Sequence, residues 1–181
     1  MFEKVTNGLI MQPSKIEAII RDLIVALGDD PDRDGLKETP QRCARMLRQM
    51  LMFVDISNET IANTFGKTFY DDSYVGQLIE MDDIECFSFC EHHLALIYDM
   101  KVRISYISTG YVIGLSKMPR IVKAVCQRLQ LQERIGTDIH SILSKILNTD
   151  SIEVTITAKH SCVTARGISN STTTTTTGSI V

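Results

Sequence analysis

Ile152-Glu153-Val154-Thr155-Ile156-Thr157-Ala158-Lys159-His160-Ser161-Cys162-Val163 alternates with a period of two. Successive side chains of an extended strand point to opposite faces. Ile152, Val154, Ile156, Ala158, His160 and Cys162 therefore fall on one face, and Glu153, Thr155, Thr157, Lys159 and Ser161 on the other. The inward face is apolar and ends in a histidine and a cysteine, so this strand orders both a core and a chemically reactive end. The same period begins at Leu78 and recurs where Met100, Val102, Ile104 and Tyr106 alternate with Lys101, Arg103 and Ser105. That pattern predicts a half-buried strand, antiparallel to the one before it. Threonine is a strand former, so the run Thr172 to Thr177 reads as an edge or interface strand.

Between and before these strands the period is helical. Ser116 is placed to cap a helix with Pro119 in its first turn, lined by Ile121, Val122, Val125 and Leu129. A second register, Ile135, Ile139, Ile142, Leu143, Ile146 and Leu147, follows a break near Leu129 to Leu131, so the stretch bends. Ser14-Lys15-Ile16-Glu17 reads as a capping box, followed by an apolar stripe from Ile16 to Leu27 and a stop at Gly28. Thr39 reads as an N-cap with Pro40 at the first helical position, ahead of the stripe Cys43, Ala44, Leu47, Met50, Leu51 and Val54. The opposite side of that helix carries Arg42, Arg45 and Arg48.

The chain has 181 residues, 44% hydrophobic and 23% charged, with a formal net charge of −3. This excludes a disordered or collagen-like chain, and the absence of a basic excess disfavours nucleic acid as a partner. No apolar run approaches the length of a membrane span, and Met1-Phe2-Glu3-Lys4 does not open a signal peptide. Five cysteines without framework spacing point to a reducing, cytoplasmic setting in which clustered Cys and His bind metal.

Cys90-Glu91-His92-His93 and His160-Ser161-Cys162 place two cysteines and three of the four histidines in two short clusters. Three Cys/His ligands with an open fourth position are the pattern of a catalytic zinc site, and a histidine outside the ligand set can move protons. An isolated cysteine is ordinarily a small buried residue, and Cys43 and Cys126 on helix stripes are read so. Cys86 shares a strand face with Ser88 and Cys90. As a fourth ligand it would close the site and make the metal structural. Arg42, Arg45, Lys117, Arg120 and Arg166 are candidates for an anion-binding cluster. Gly114-Leu115-Ser116-Lys117 runs into a helix N-terminus, which favours anions. Gln132-Glu133 lies just after the helix break, where a carboxylate could accept hydrogen bonds from a guanine-like donor edge, although on spacing alone the pair reads as a solvated helix face.

Four segments together resemble the signatures of GTP cyclohydrolase I. They are Ser88 to His93, Gly114 to Lys117, Gln130 to Arg134 and His160 to Gly167, in that order, with Thr39-Pro40-Gln41-Arg42 similar to the family's N-terminal helix start. The resemblance implies an α+β tunnelling fold over 76–181: an antiparallel sheet packed on a helix pair, preceded by an N-terminal helical segment over 1–75. It implies Cys90, His93 and Cys162 as zinc ligands and His92 and His160 as the proton-transfer pair. Glu133 with Gln132 would hold guanine. Ser116, Lys117, Arg120 and Arg166 would hold the triphosphate, with Arg42 and Arg45 added from a neighbouring subunit. Arg45 stands where many relatives carry Lys. The implied reaction is hydrolysis of GTP at C8, release of formate and rearrangement to 7,8-dihydroneopterin triphosphate, the entry to folate, tetrahydrobiopterin or 7-deazaguanine synthesis. The implied assembly is a decamer of two pentameric rings with sites between subunits. Relatives continue into a further helix beyond the position of Val181. A nitrile reductase of the same fold is a second reading, disfavoured by the intact Cys-Glu-His-His and His-x-Cys elements.

Overall fold

The computed structural model describes residues 11–178; Met1 to Lys4 and the last three residues lie outside the described residues. The chain forms two compact units that divide between Asp55 and Ile56.

The N-terminal unit contains α1 (Pro13–Ala26) and α2 (Thr39–Met50), packed against each other. Neither begins with the expected side-chain cap. Pro13 occupies the first turn of α1, which places Ser14 inside the helix behind Gln12, and Thr39 is already helical behind Glu38. In both, proline sets the first turn without a capping hydroxyl, since its missing N–H removes one of the donors that a cap would satisfy. Gly28 follows α1 at φ +88, the left-handed stop its position suggested.

The C-terminal unit contains α3 (Asn58–Phe65), β1 (Thr68–Tyr70), β2 (Leu78–Cys90), β3 (Ala95–Ile107), β4 (Tyr111–Ile113), α4 (Lys117–Cys126), β5 (Leu129–Gln130), α5 (Gln132–Leu147), β6 (Ile152–His160), α6 (Ser161–Thr164) and β7 (Thr174–Gly178). Thus α3 and β1, which fall within 1–75, pack here: α3 lies on α4 and α5, and β1 pairs with β4. The main sheet has the order β5-β2-β3-β6-β7. It is antiparallel except for β5, which enters from the α4–α5 connection and runs parallel to the end of β2, so the sheet is mixed rather than wholly antiparallel.

One sheet face is apolar and covered by α4 and α5. Ile84, Met100, Val102, Ile104, Tyr106, Ile152, Val154, Ile156 and Ala158 bury against Ile121, Val122, Val125, Ile135, Ile139, Ile142, Leu143 and Leu147. The other face is charged. Lys101 reaches Asp83 at 2.9 Å, Lys159 reaches Asp99 at 2.9 Å, and Arg103 pairs with Glu80 and Asp82. Asp83 and Asp99 have φ of 53 and 48 and sit where the β2–β3 and β3–β6 registers shift. A short polar side chain tolerates this left-handed geometry, and the extra residue bends the strand and increases its twist.

A candidate metal centre at one end of the sheet

β2 ends at Cys90, which pairs with Ala95 at the start of β3, so residues 91–94 form a four-residue hairpin loop. Leu94 closes it at φ 49, an uncommon geometry for a bulky side chain. Beside it, Ile97 of β3 pairs with His160 at the end of β6. There the chain leaves the strand: Ser161–Thr164 is a helical turn, so Cys162 stands off the strand face on which simple alternation placed it. Ser161 Oγ donates to Leu96 O at 2.9 Å, and the Tyr98 and Thr164 hydroxyls are 3.0 Å apart, which holds this turn against β3.

The fold thereby brings Cys90, His93 and Cys162 together, with their ligand atoms all within 4.8 Å of one another. Cys90 is buried, Cys162 half-buried and His93 exposed, so the group is open on one side. Two sulfurs and an imidazole nitrogen form a donor set suited to a borderline-soft divalent ion. Burial and the neighbouring Cys90 push the Cys162 thiol up, while Arg166 draws it down, which places Arg166 at this end. His92 is exposed, with its ring perpendicular to that of His93 at 6.4 Å.

Cys86 is not brought to this group. It lies four residues before Cys90, about 13 Å along β2. Its Sγ lies 3.5 Å from that of Cys126 at the buried end of α4. The Cys126 thiol is held well above its ordinary value by that hydrogen bond and by burial, and so remains protonated.

α5 supplies the next layer. Gln132, in its first turn, is 1% exposed. Its Nε2 donates to Ile156 O at 3.0 Å, Thr174 O at 3.1 Å and Thr176 Oγ1 at 3.2 Å, and its Oε1 lies 2.8 Å from His160 Nε2. The amide is thus fully engaged inside the fold. Glu133 is exposed, and its carboxylate raises His160 against the larger downward effect of burial.

Sequence reasoning assigned no role to the pair Glu91 and Arg134. Arg134 donates to both Glu91 oxygens, at 2.6 and 3.0 Å, and holds the carboxyl below its ordinary range. With Glu91 N donating to Gln130 O at 3.1 Å, this ties the hairpin to the start of α5. Both residues lie inside the quoted segments, but no spacing rule links positions 43 apart.

The cationic candidates divide. Arg166 stands with the cysteines. Ser116 and Lys117 begin α4 near β4, where Gly114 approaches Lys117 and Phe69. β4 lies at the far end of the sheet, since Ile113 N donates to Tyr106 Oη and Leu78 pairs with Ile107 there. From Lys117, α4 runs about 14 Å before reaching Cys126 beside β2. Arg120, half-buried, is one turn from that start. Arg42 and Arg45 are exposed on α2 of the N-terminal unit, where Arg42 lies 3.4 Å from Glu38.

Comparison with known proteins gives a consistent answer. The sequence profile of the family GTP cyclohydrolase I matches residues 16–181. A protein named GTP cyclohydrolase 1 from Clostridium botulinum (strain Loch Maree / Type A3) is 50% identical over 160 residues, covering 86% of this chain and 82% of that protein. One of the same name from Clostridium beijerinckii is 48% identical over 167 residues, 90% of this chain and 85% of that protein. A third, from Ruminiclostridium cellulolyticum, is 47% identical over 169 residues, 90% of this chain and 87% of that protein. No helix among the described residues is long and apolar enough to cross a membrane.

Proposed function

Since this chain belongs to the GTP cyclohydrolase I family, and is thus a hydrolase acting on GTP, we propose that it forms 7,8-dihydroneopterin triphosphate and formate in a zinc-dependent reaction. The observation that carries the metal reading is the Cys90, His93 and Cys162 cluster, whose three donors leave one side open. Zinc bound there would supply Lewis acidity and a nucleophile at neutral pH. The two thiols give up their protons to bind it.

The chain's own groups do the rest. His92 and His160 flank the ligands in sequence and move protons during ring opening and rearrangement. Glu133, exposed beside His160, accepts hydrogen bonds from the guanine N1–H and 2-amino group. Arg166 takes part of the triphosphate, together with Ser116, Lys117 and Arg120, and Arg42 and Arg45 are added from a neighbouring copy. The resemblance also gives Gln132 to the guanine site beside Glu133, and its amide already bonds Ile156 O, Thr174 O, Thr176 Oγ1 and His160 Nε2.

Ser116 and Lys117 lie toward the opposite end of the sheet from the cysteines of the same chain. This supports a site completed by a neighbouring copy. Two sheet edges are available for such an assembly. Among the described residues, β7 is unpaired on its outer side, and β2 is covered by β5 only at Phe89 and Cys90. Open edges invite pairing with another chain. Joining β7 of one copy to β2 of the next gives the pentameric ring, and two rings give the decamer. The product would enter cytoplasmic folate or related pterin synthesis.

Incubating the zinc-loaded protein with GTP and reading the products by mass spectrometry tests this reading. Dihydroneopterin triphosphate and formate are expected together. Cys90→Ala should lose both bound zinc and formate release, and full turnover by that variant would overturn the assignment of the site.

A further inference from the structure

We infer that Gln132 is a positioning residue for His160: its amide decides which imidazole nitrogen carries the hydrogen, leaving Nδ1 as the atom that exchanges protons. The inference rests on the reading of His160 as a proton-transfer residue, and it concerns how that residue is set.

A glutamine amide has a donor end and an acceptor end, and its surroundings determine which way it faces. Here they leave one choice. Ile156 O and Thr174 O, at 3.0 and 3.1 Å, are carbonyl oxygens and can only accept. Turning the amide over would set Oε1 against both of them. Thr176 Oγ1, at 3.2 Å, accommodates either orientation. The NH2 end therefore faces β6 and β7, and Oε1 faces His160.

An amide oxygen only accepts, so the contact of 2.8 Å requires the hydrogen to be on His160 Nε2. In the neutral ring the lone pair is then on Nδ1, which makes no hydrogen bond among the described residues. The ring can take a proton at Nδ1 and return it while the bond from Nε2 stays intact. A carboxylate in this place would also accept from Nε2, but its charge would raise the proton affinity of the ring, and it has no hydrogen for Ile156 O or Thr174 O. Glutamine fixes the tautomer without that charge. The amide cannot rotate without breaking its bonds to β6 and β7, so the docking of the threonine strand and the setting of His160 depend on one side chain.

The test has two parts. In Gln132→Met and Gln132→Glu, kcat for formate release should fall on the order of 100-fold, while GTP affinity stays within about threefold of wild type. Weakened GTP affinity with kcat preserved would overturn the inference and make Gln132 a contact to the base. The second part needs no variant at position 132 to fold. The wild-type holoenzyme labelled with 15N-histidine has only four histidines, and His160 is assigned by the signal lost in His160→Asn. A pyrrole-type Nε2 and a pyridine-type Nδ1 are expected, and the reverse would overturn the inference. If the wild-type protein releases no formate from GTP, the proposed function fails, yet the nitrogen spectrum still decides the tautomer.

Discussion

At the scale of single residues, spacing carried the metal group and nothing beyond it. Cys90 with His93, and His160 with Cys162, are short-range patterns whose donor types suggest a metal, and the fold brings three of those four within reach of one another. Cys86 was ambiguous for a physical reason, because a period of two assigns a face but no distance. About 13 Å of extended chain, and a partner at 3.5 Å in Cys126, settle where its sulfur points. Cys86→Ser should keep zinc content and formate release within about twofold of wild type, measured by metal analysis and product assay, because it removes no ligand. The Glu91–Arg134 pair and the bond between Gln132 and His160 were not legible. They join residues 43 and 28 apart, and only tertiary placement creates such contacts.

At the scale of elements, the apolar registers of α4 and α5 and the strand faces of β3 and β6 were legible, because burial on one side imposes a period. The break between the helices was visible too, but not its use as β5, since two residues are too few to carry a pattern. Arg128, in that break, would pass for a surface charge. It is in fact largely buried. Its guanidinium donates to Asn58 Oδ1 at 2.7 Å and Ile56 O at 2.7 Å, and lies 3.2 Å from Asp138 Oδ2. Burial draws its pKa down while Asp138 holds it up. Asn58 and Gln130 donate to the same carboxylate, at 2.8 and 2.9 Å, so α3, β5 and α5 are fastened at one point. Removing one partner of a buried pair strands the other. Arg128→Met should therefore cost about 3 kcal/mol, read as a lower Tm in thermal unfolding, whereas Arg128→Lys should recover part of the loss.

At the scale of the whole molecule, one observation extends beyond the single chain: the cysteines and the Ser116–Lys117 pair belong to different ends of the same sheet. If each site takes one group from either of two copies, Cys90→Ala and Lys117→Ala damage different halves of it. Each variant alone should be inactive. Co-folded in equal amounts, they should recover about a quarter of wild-type formate release, the fraction of sites that draw both intact halves by chance. Mixing the two after separate assembly should recover nothing until subunits exchange. No alternation of side chains announces this, because period and spacing describe one chain at a time. In genetic terms, two null alleles of this gene could complement each other. A lesion near the hairpin and a lesion at the start of α4 would together support growth that neither permits alone. Two lesions at the same end would not, and a map of complementing pairs would trace the boundary between subunits without any coordinates.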